Sequence, residues 1–180
     1  MRIARPAVVT ALFLLLAASV PLRAYAPQEE NSQIAQLLDD ANSEAIELAS
    51  DADDMETMIR SDTNWVNHAL ALAKIKGHVD TLDLIMNKLI KMQGSGSDLQ
   101  QQAIQQMMPL VKELSENTTA ALNYLNQRKS RPISETYTQY LRKNSETAHQ
   151  LSSMISSLVD YEKSMTDVQR LRNSLESSPQ

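Results

Sequence analysis

The sequence predicts an all-α fold, an up-down-up-down four-helix bundle of long helices preceded by a signal peptide. Three observations predict it. Apolar residues recur at alternating steps of three and four through four separate stretches, the spacing of a helical seam. Short runs rich in Ser, Asp, Gly or Pro separate those stretches. No stretch alternates with period two over a useful length, which argues against strands.

Residues 1–26 read MRIARPAVVTALFLLLAASVPLRAYA. Arg2 and Arg5 form a positive start, and Ala7 to Val20 is apolar but for Thr10 and Ser19. Ala24 and Ala26 supply the small residues of a cleavage site, so this is read as a secretory signal peptide. Pro27 disfavours a cut after Ala26 and leaves Ala24 as the fallback. The apolar run is shorter than the roughly 20 residues of a comfortable membrane span, so an uncleaved anchor is the lesser reading. The domain that follows, 27–180, has helices expected at about 28–60, 63–93, 98–129 and 133–175.

The first helix carries its seam on Ile34, Leu38, Ala41, Ala45, Leu48, Ala52, Met55 and Ile59. The second carries Trp65, His68, Leu72, Ile75, Val79, Leu82, Met86 and Leu89. The step from Ile59 to Trp65 turns the face by about 240° at 3.6 residues per turn. One continuous helix cannot keep both seams on one side, so the chain turns near 60–64, where Ser61, Asp62 or Thr63 is expected to cap helix two. Gly94-Ser-Gly-Ser97 is the clearest break, and Ser97 with Gln100 fits a capping box for helix three. That helix carries Ile104, Met107, Val111, Leu114, Thr118, Leu122 and Leu125. Pro109 lies inside it and predicts a kink or a restart, because proline lacks a donor and crowds the carbonyl of Gln105. Ser130 or Ser134 caps helix four, whose seam runs Tyr137, Leu141, Ala148, Leu151, Ile155, Leu158, Met165 and Val168, with Leu171 and Leu175 near its end. The second-best architecture is a pair of long hairpins that dimerise to complete a bundle. A heptad seam can pair within or between chains, so a homodimer is compatible with the pattern.

Composition bounds the chemistry. At 180 residues the chain suits one domain, and 42% hydrophobic residues suffice for a packed core. No cysteine is present, which excludes disulfides, thiolate metal sites and cysteine nucleophiles. Three glycines leave no glycine-rich phosphate loop. A net charge of −5 becomes −8 once Arg2, Arg5 and Arg23 leave with the signal, which argues against nucleic acid as a partner. No later segment is apolar enough to span a membrane.

Two groups of residues are candidate sites. Residues 29–62 hold eleven acids against one base, Arg60, so helix one presents acids outward. Asp39, Asp40, Glu44, Glu47, Asp51 and Asp54 form a candidate face for a basic protein partner, or a solvated face that keeps the bundle soluble. Asp51 and Asp53 are about 200° apart on a helix and cannot share one ion, so no calcium loop is expected. The second group gathers at the end of the bundle where helices one and three finish. There Met55 and Met58 meet Trp65 and His68, with Tyr124, Tyr137 and Tyr140 from the other two helices. These are candidate ligand-binding residues or an aromatic plug against water. His68 with Met55 or Met58 is also the one combination that could hold a haem iron. His78 and His149 are placed near the surface or beside the core. No metal site, cofactor or catalytic residue is predicted: the histidines lack metal-ligand spacing, and E-x-x-H occurs once, at Glu146–His149, where a di-iron bundle needs two. Asn117-Thr-Thr119 matches a glycosylation sequon.

Asn64-Trp-Val-Asn-His68, Gln102-Ala-Ile-Gln-Gln-Met-Met-Pro-Leu110 and the following Asn117-Thr118, together with the signal peptide, resemble exported bacterial helical-bundle proteins of unassigned function. That resemblance implies an exported all-helical protein and no particular chemistry. In architecture alone the chain is also similar to the periplasmic bundles of bacterial chemosensors, without their second membrane span or signalling segment. The expected function is a non-enzymatic binding or protein-interaction module, periplasmic or secreted. The alternative is a bundle carrying haem, a metal or a small ligand at the Trp65/His68 end.

Overall fold

The computed structural model describes residues 28–61, 64–129 and 133–177, with side chains from Ser32 onward. The signal-peptide reading of 1–26, and Asp62, Thr63 and Ser130 as caps, fall outside the described residues. Among the described residues the chain is all-helical, with four helices packed against one another: α1 (Gln28–Met58), α2 (Trp65–Met92), α3 (Asp98–Gln127) and α4 (Glu135–Glu176).

The helix ends follow from local chemistry. Asn64 caps α2 in place of the expected Ser61, Asp62 or Thr63. Its backbone is extended and its side chain accepts the Val66 N–H at 2.9 Å, so the helix starts at Trp65. A single 3-10 turn, Gln93–Ser95, closes α2. Ser97 and Gln100 then form the predicted capping box at the start of α3. Gly96 keeps this turn close: a Cβ there would lie 3.1 Å from Oε1 of Gln100 and 3.2 Å from Cδ1 of Ile34, so those side chains would have to give way. Ser134 caps α4 by accepting the Tyr137 N–H at 3.2 Å.

Pro109 does not restart α3, which runs unbroken through it. Pro109 and Gln105 are both exposed, so the carbonyl that loses its donor lies on the solvent side of the helix.

Each helix packs on two neighbours: α1 and α3 each lie against α2 and α4. Along three of the four neighbouring pairs, α1–α2, α1–α4 and α3–α4, the bonded residues run in opposite order. Asp51 meets Lys74 while Glu44 meets His78; Glu56 meets Arg142 while Asp39 meets Lys163. Tyr124 meets Ser134 while Thr118 meets Asn144.

The predicted seams form the core. Leu38, Leu48, Leu72, Leu82, Ile104, Leu114, Leu151 and Ile155 are fully buried, each contributing about 1.5–3 kcal/mol by leaving water. Helix α4 departs from the expectation beyond Val159. Met165, Val168, Leu171 and Leu175 were expected on the seam, yet they are 52, 60, 64 and 77% exposed. Register is one reason, since at 100° per residue Val168, Leu171 and Leu175 turn away from the side that carries Leu151, Ile155 and Leu158; length is the other. Helix α4 has 42 residues against 30 in α3, and α3 begins level with Glu162, which takes a hydrogen bond from Gln100 in the first turn of α3. Past that level no helix covers this side of α4.

Candidate functional site

At the Trp65/His68 end the predicted residues do converge. His68 and Tyr137 are fully buried, and His68 Nδ1 lies 3.2 Å from the Tyr137 hydroxyl. Their rings are tilted at 5.7 Å between centroids. Tyr124 stacks on Tyr137 at 6.0 Å and meets Tyr140 edge-on at 6.5 Å. The Tyr124 hydroxyl is bonded to Ser134 Oγ at 2.5 Å, which ties the ring to the cap of α4. Lys129 sits over the Trp65 ring at 4.7 Å and Arg128 over Tyr124 at 5.2 Å, closing the end with two cations. Met55 is buried and Met58 half-buried against the same core. Burial pushes the Tyr137 phenol far above its ordinary range, so it remains a neutral partner for His68. Rings packed on rings with bonded polar tips make this a closed aromatic end.

The six acids of α1 do not form one face. Heptad geometry puts Glu44 and Asp51 beside the seam on the α2 side, with Asp40, Glu47 and Asp54 one position further out. Asp39 lies on the opposite flank, with Asp53 and Glu56, facing α4. His78 is held between the two inner acids: Nδ1 faces Glu44 at 2.6 Å and Nε2 faces Asp51 at 3.0 Å. Asp51 also accepts Lys74 at 2.6 Å. On the other flank Asp39 pairs with Lys163 at 3.2 Å, and Asp53 accepts Ser145 at 2.8 Å and His149 at 2.9 Å. Asp40, Glu47 and Asp54 are exposed, and Asp40 accepts Gln36 within its own helix at 2.8 Å. Half of the predicted face therefore fastens α1 to its neighbours.

The two carboxylates on His78 lie at opposite ends of the ring, so they cannot converge on one ion with it. Among the described residues no cluster of three or more His, Asp or Glu has metal-holding geometry.

Sequence reasoning missed two features. Asn144 is buried on α4, donating to Thr118 Oγ1 at 3.1 Å, while its own Oδ1 and the Nδ2 of Asn117 are buried without partners. The sequon nitrogen is thus inside the folded chain. The signal was the gap in the apolar ladder between Leu141 and Ala148.

The second missed feature is a groove at the end opposite the aromatic cluster. Its volume is about 1410 Å³, and it lies between the starts of α1 and α3 and the extended part of α4. Leu99, Ala103, Leu158 and Tyr161 give it an apolar lining, with Gln100 and Glu162 among them. Burial raises the Glu162 carboxyl above its usual range and Asp39 adds to the rise, against the hydrogen bond from Gln100. Tyr161 and Met165 line the groove, while Val168, Leu171 and Leu175 are exposed further along α4, on the flank turned away from Glu162, Thr166 and Arg170. The signal for this surface was the apolar ladder of helix four running well past the length of the other three helices. Comparison of the chain with protein families, curated proteins and solved structures finds no match.

Proposed function

We propose that this chain is an exported, non-enzymatic helical-bundle protein whose work is to bind another protein through the exposed side of α4 and the groove beside it. Residues 1–26 act as its signal peptide, and the mature domain works in the periplasm or outside the cell. Its helices run up-down-up-down, a reading supported by the opposite order of bonded residues along three of the four neighbouring pairs. Among the sequence strings, those that resemble exported bacterial bundle proteins agree with this placement.

One observation carries the proposal. Five large apolar residues, each more than half exposed, share one side of the last turns of α4, and two of them, Tyr161 and Met165, also line the groove. Soluble chains rarely leave a contiguous apolar surface uncovered without a use for it. The acidic α1 surface is the weaker candidate, because Glu44, Asp51 and Asp39 already hold α2 and α4.

The test is photo-cross-linking in the native host, with a benzophenone amino acid at position 168 and, as control, at exposed Asn123 on α3. The expected result is a covalent protein adduct from position 168 and none from position 123. Absence of any adduct at 168 would contradict the reading.

A further inference from the structure

We infer that the segment a partner places in the groove is an amphipathic helix bearing a lysine or arginine among its apolar side chains, with that base set against Glu162. The inference rests on the interaction reading above and names the chemistry of the partner.

Size selects a chain segment over a small molecule. The groove's volume of about 1410 Å³ exceeds the roughly 300–1,000 Å³ of pockets that enclose small ligands. Three helices border it, through Ala35 on α1, Leu99 and Ala103 on α3, and Leu158 and Met165 on α4. Leu158, Glu162 and Met165 continue the side of α4 that carries Leu151 and Ile155. The groove is therefore the place where the bundle core runs out of a covering helix. An amphipathic helix lays its apolar side into a groove of this kind.

Charge selects the sign of what enters. Four acids and two bases line the groove: Asp39, Asp98, Glu162 and Asp167, with Lys163 and Arg170. Both bases are taken, Lys163 by Asp39 at 3.2 Å and Arg170 by Asp167 at 3.2 Å. Asp98 is exposed in the first turn of α3, where the unpaired N–H groups of the helix favour a negative charge. Glu162 has no such compensation. It is half-buried, takes one hydrogen bond from Gln100 and has the Asp39 carboxylate for a neighbour. A carboxylate accepts several hydrogen bonds, so room remains on Glu162 for the donors of a lysine or arginine. A glutamine of the same shape would serve the fold without burying a charge beside its like. Side chains held at a cost to stability are expected where a chain binds. A base from the partner turns that cost into attraction, and an acid adds to the repulsion.

The test titrates the purified mature chain into two fluorescent synthetic amphipathic helices of equal length, read by anisotropy at physiological salt. One is built of leucine and lysine, the other of leucine and glutamate. The lysine helix is expected to bind and the glutamate helix is not. Glu162→Gln is expected to weaken the lysine helix by about fivefold or more, with no loss of helix content or melting temperature. Glu146→Gln removes the same charge from an exposed position on α4 away from the groove and is expected to leave binding unchanged. A chain that binds neither helix, or both equally, would overturn the inference. So would unchanged binding in Glu162→Gln, or an equal loss from both variants, the mark of attraction by net charge alone. In the photo-cross-linking experiment, a weaker adduct at 168 in the Glu162→Gln chain supports the inference. An undiminished adduct overturns it while the interaction reading stands, and no adduct in the parent removes both.

Discussion

Tyr137 is the residue through which the core meets its polar end. It stacks on Tyr124 and holds His68 Nδ1 at 3.2 Å, so hydroxyl and ring do separate work. Tyr137→Phe keeps the packing and removes the hydroxyl from a buried histidine, which is expected to cost about 1–3 kcal/mol in denaturant unfolding. Tyr137→Ala removes the ring as well and is expected to cost about 3–5 kcal/mol. A Phe variant as stable as the parent would show that the hydrogen bond contributes nothing. Asn144 and Thr118 give a second residue-scale test. Thr118→Val alone leaves the Asn144 amide without its one bonded partner and is expected to destabilise. The pair Thr118→Val with Asn144→Leu replaces both groups by apolar ones and is expected to recover most of the loss. Much at this scale was legible in the sequence. The heptad placed His68 on the seam, and short turns brought it to Tyr137. Asn144 was not legible as a buried group, because a polar residue in a ladder of apolar ones reads as a gap.

Helix α1 holds ten acids and no base, and five of them, Asp39, Glu44, Asp51, Asp53 and Glu56, fasten it on both flanks. His78 bridges Glu44 and Asp51 through opposite ring nitrogens, which ties two turns of α1 to one point on α2. On the other flank Asp53 is partly desolvated, but the bonds from Ser145 and His149 outweigh that and hold its carboxyl below the usual range. A lowered folded pKa gives stability that is complete above the unfolded value of about 3.9 and fades as pH falls through the folded one. Asp53→Asn is therefore expected to lower the melting temperature at pH 6 and to match the parent toward the acid end. Glu162 runs the other way. Desolvation raises its pKa, so its charge is a penalty that grows as pH rises through the unfolded value of about 4.3. Glu162→Gln is expected to raise the melting temperature at pH 7 and leave it unchanged at pH 3. A gain of equal size at both would contradict the desolvation account. Sequence patterning located these acids but merged their two flanks. Separating Asp39 from Glu44 requires knowing which neighbour lies on each side of the seam, and no single helix carries that information.

At the scale of the molecule, four helices close one core that stops at Val159, while α4 continues for several more turns. The fold class was legible because seams, caps and breaks all pointed to one answer. The exposed side of α4 was not, because its apolar spacing is the same whether the cover comes from this chain or from another. Ending the chain after Asp160 is expected to leave the melting temperature within a few degrees of the parent, since no fully buried core residue is lost. The most direct test of the central claim is hydrogen exchange of the α4 amides in the purified chain alone and in an extract of its native host. The account predicts that protection of residues 160–176 rises in the extract while that of 137–159 stays constant. Equal and rapid exchange of 160–176 in both would contradict it.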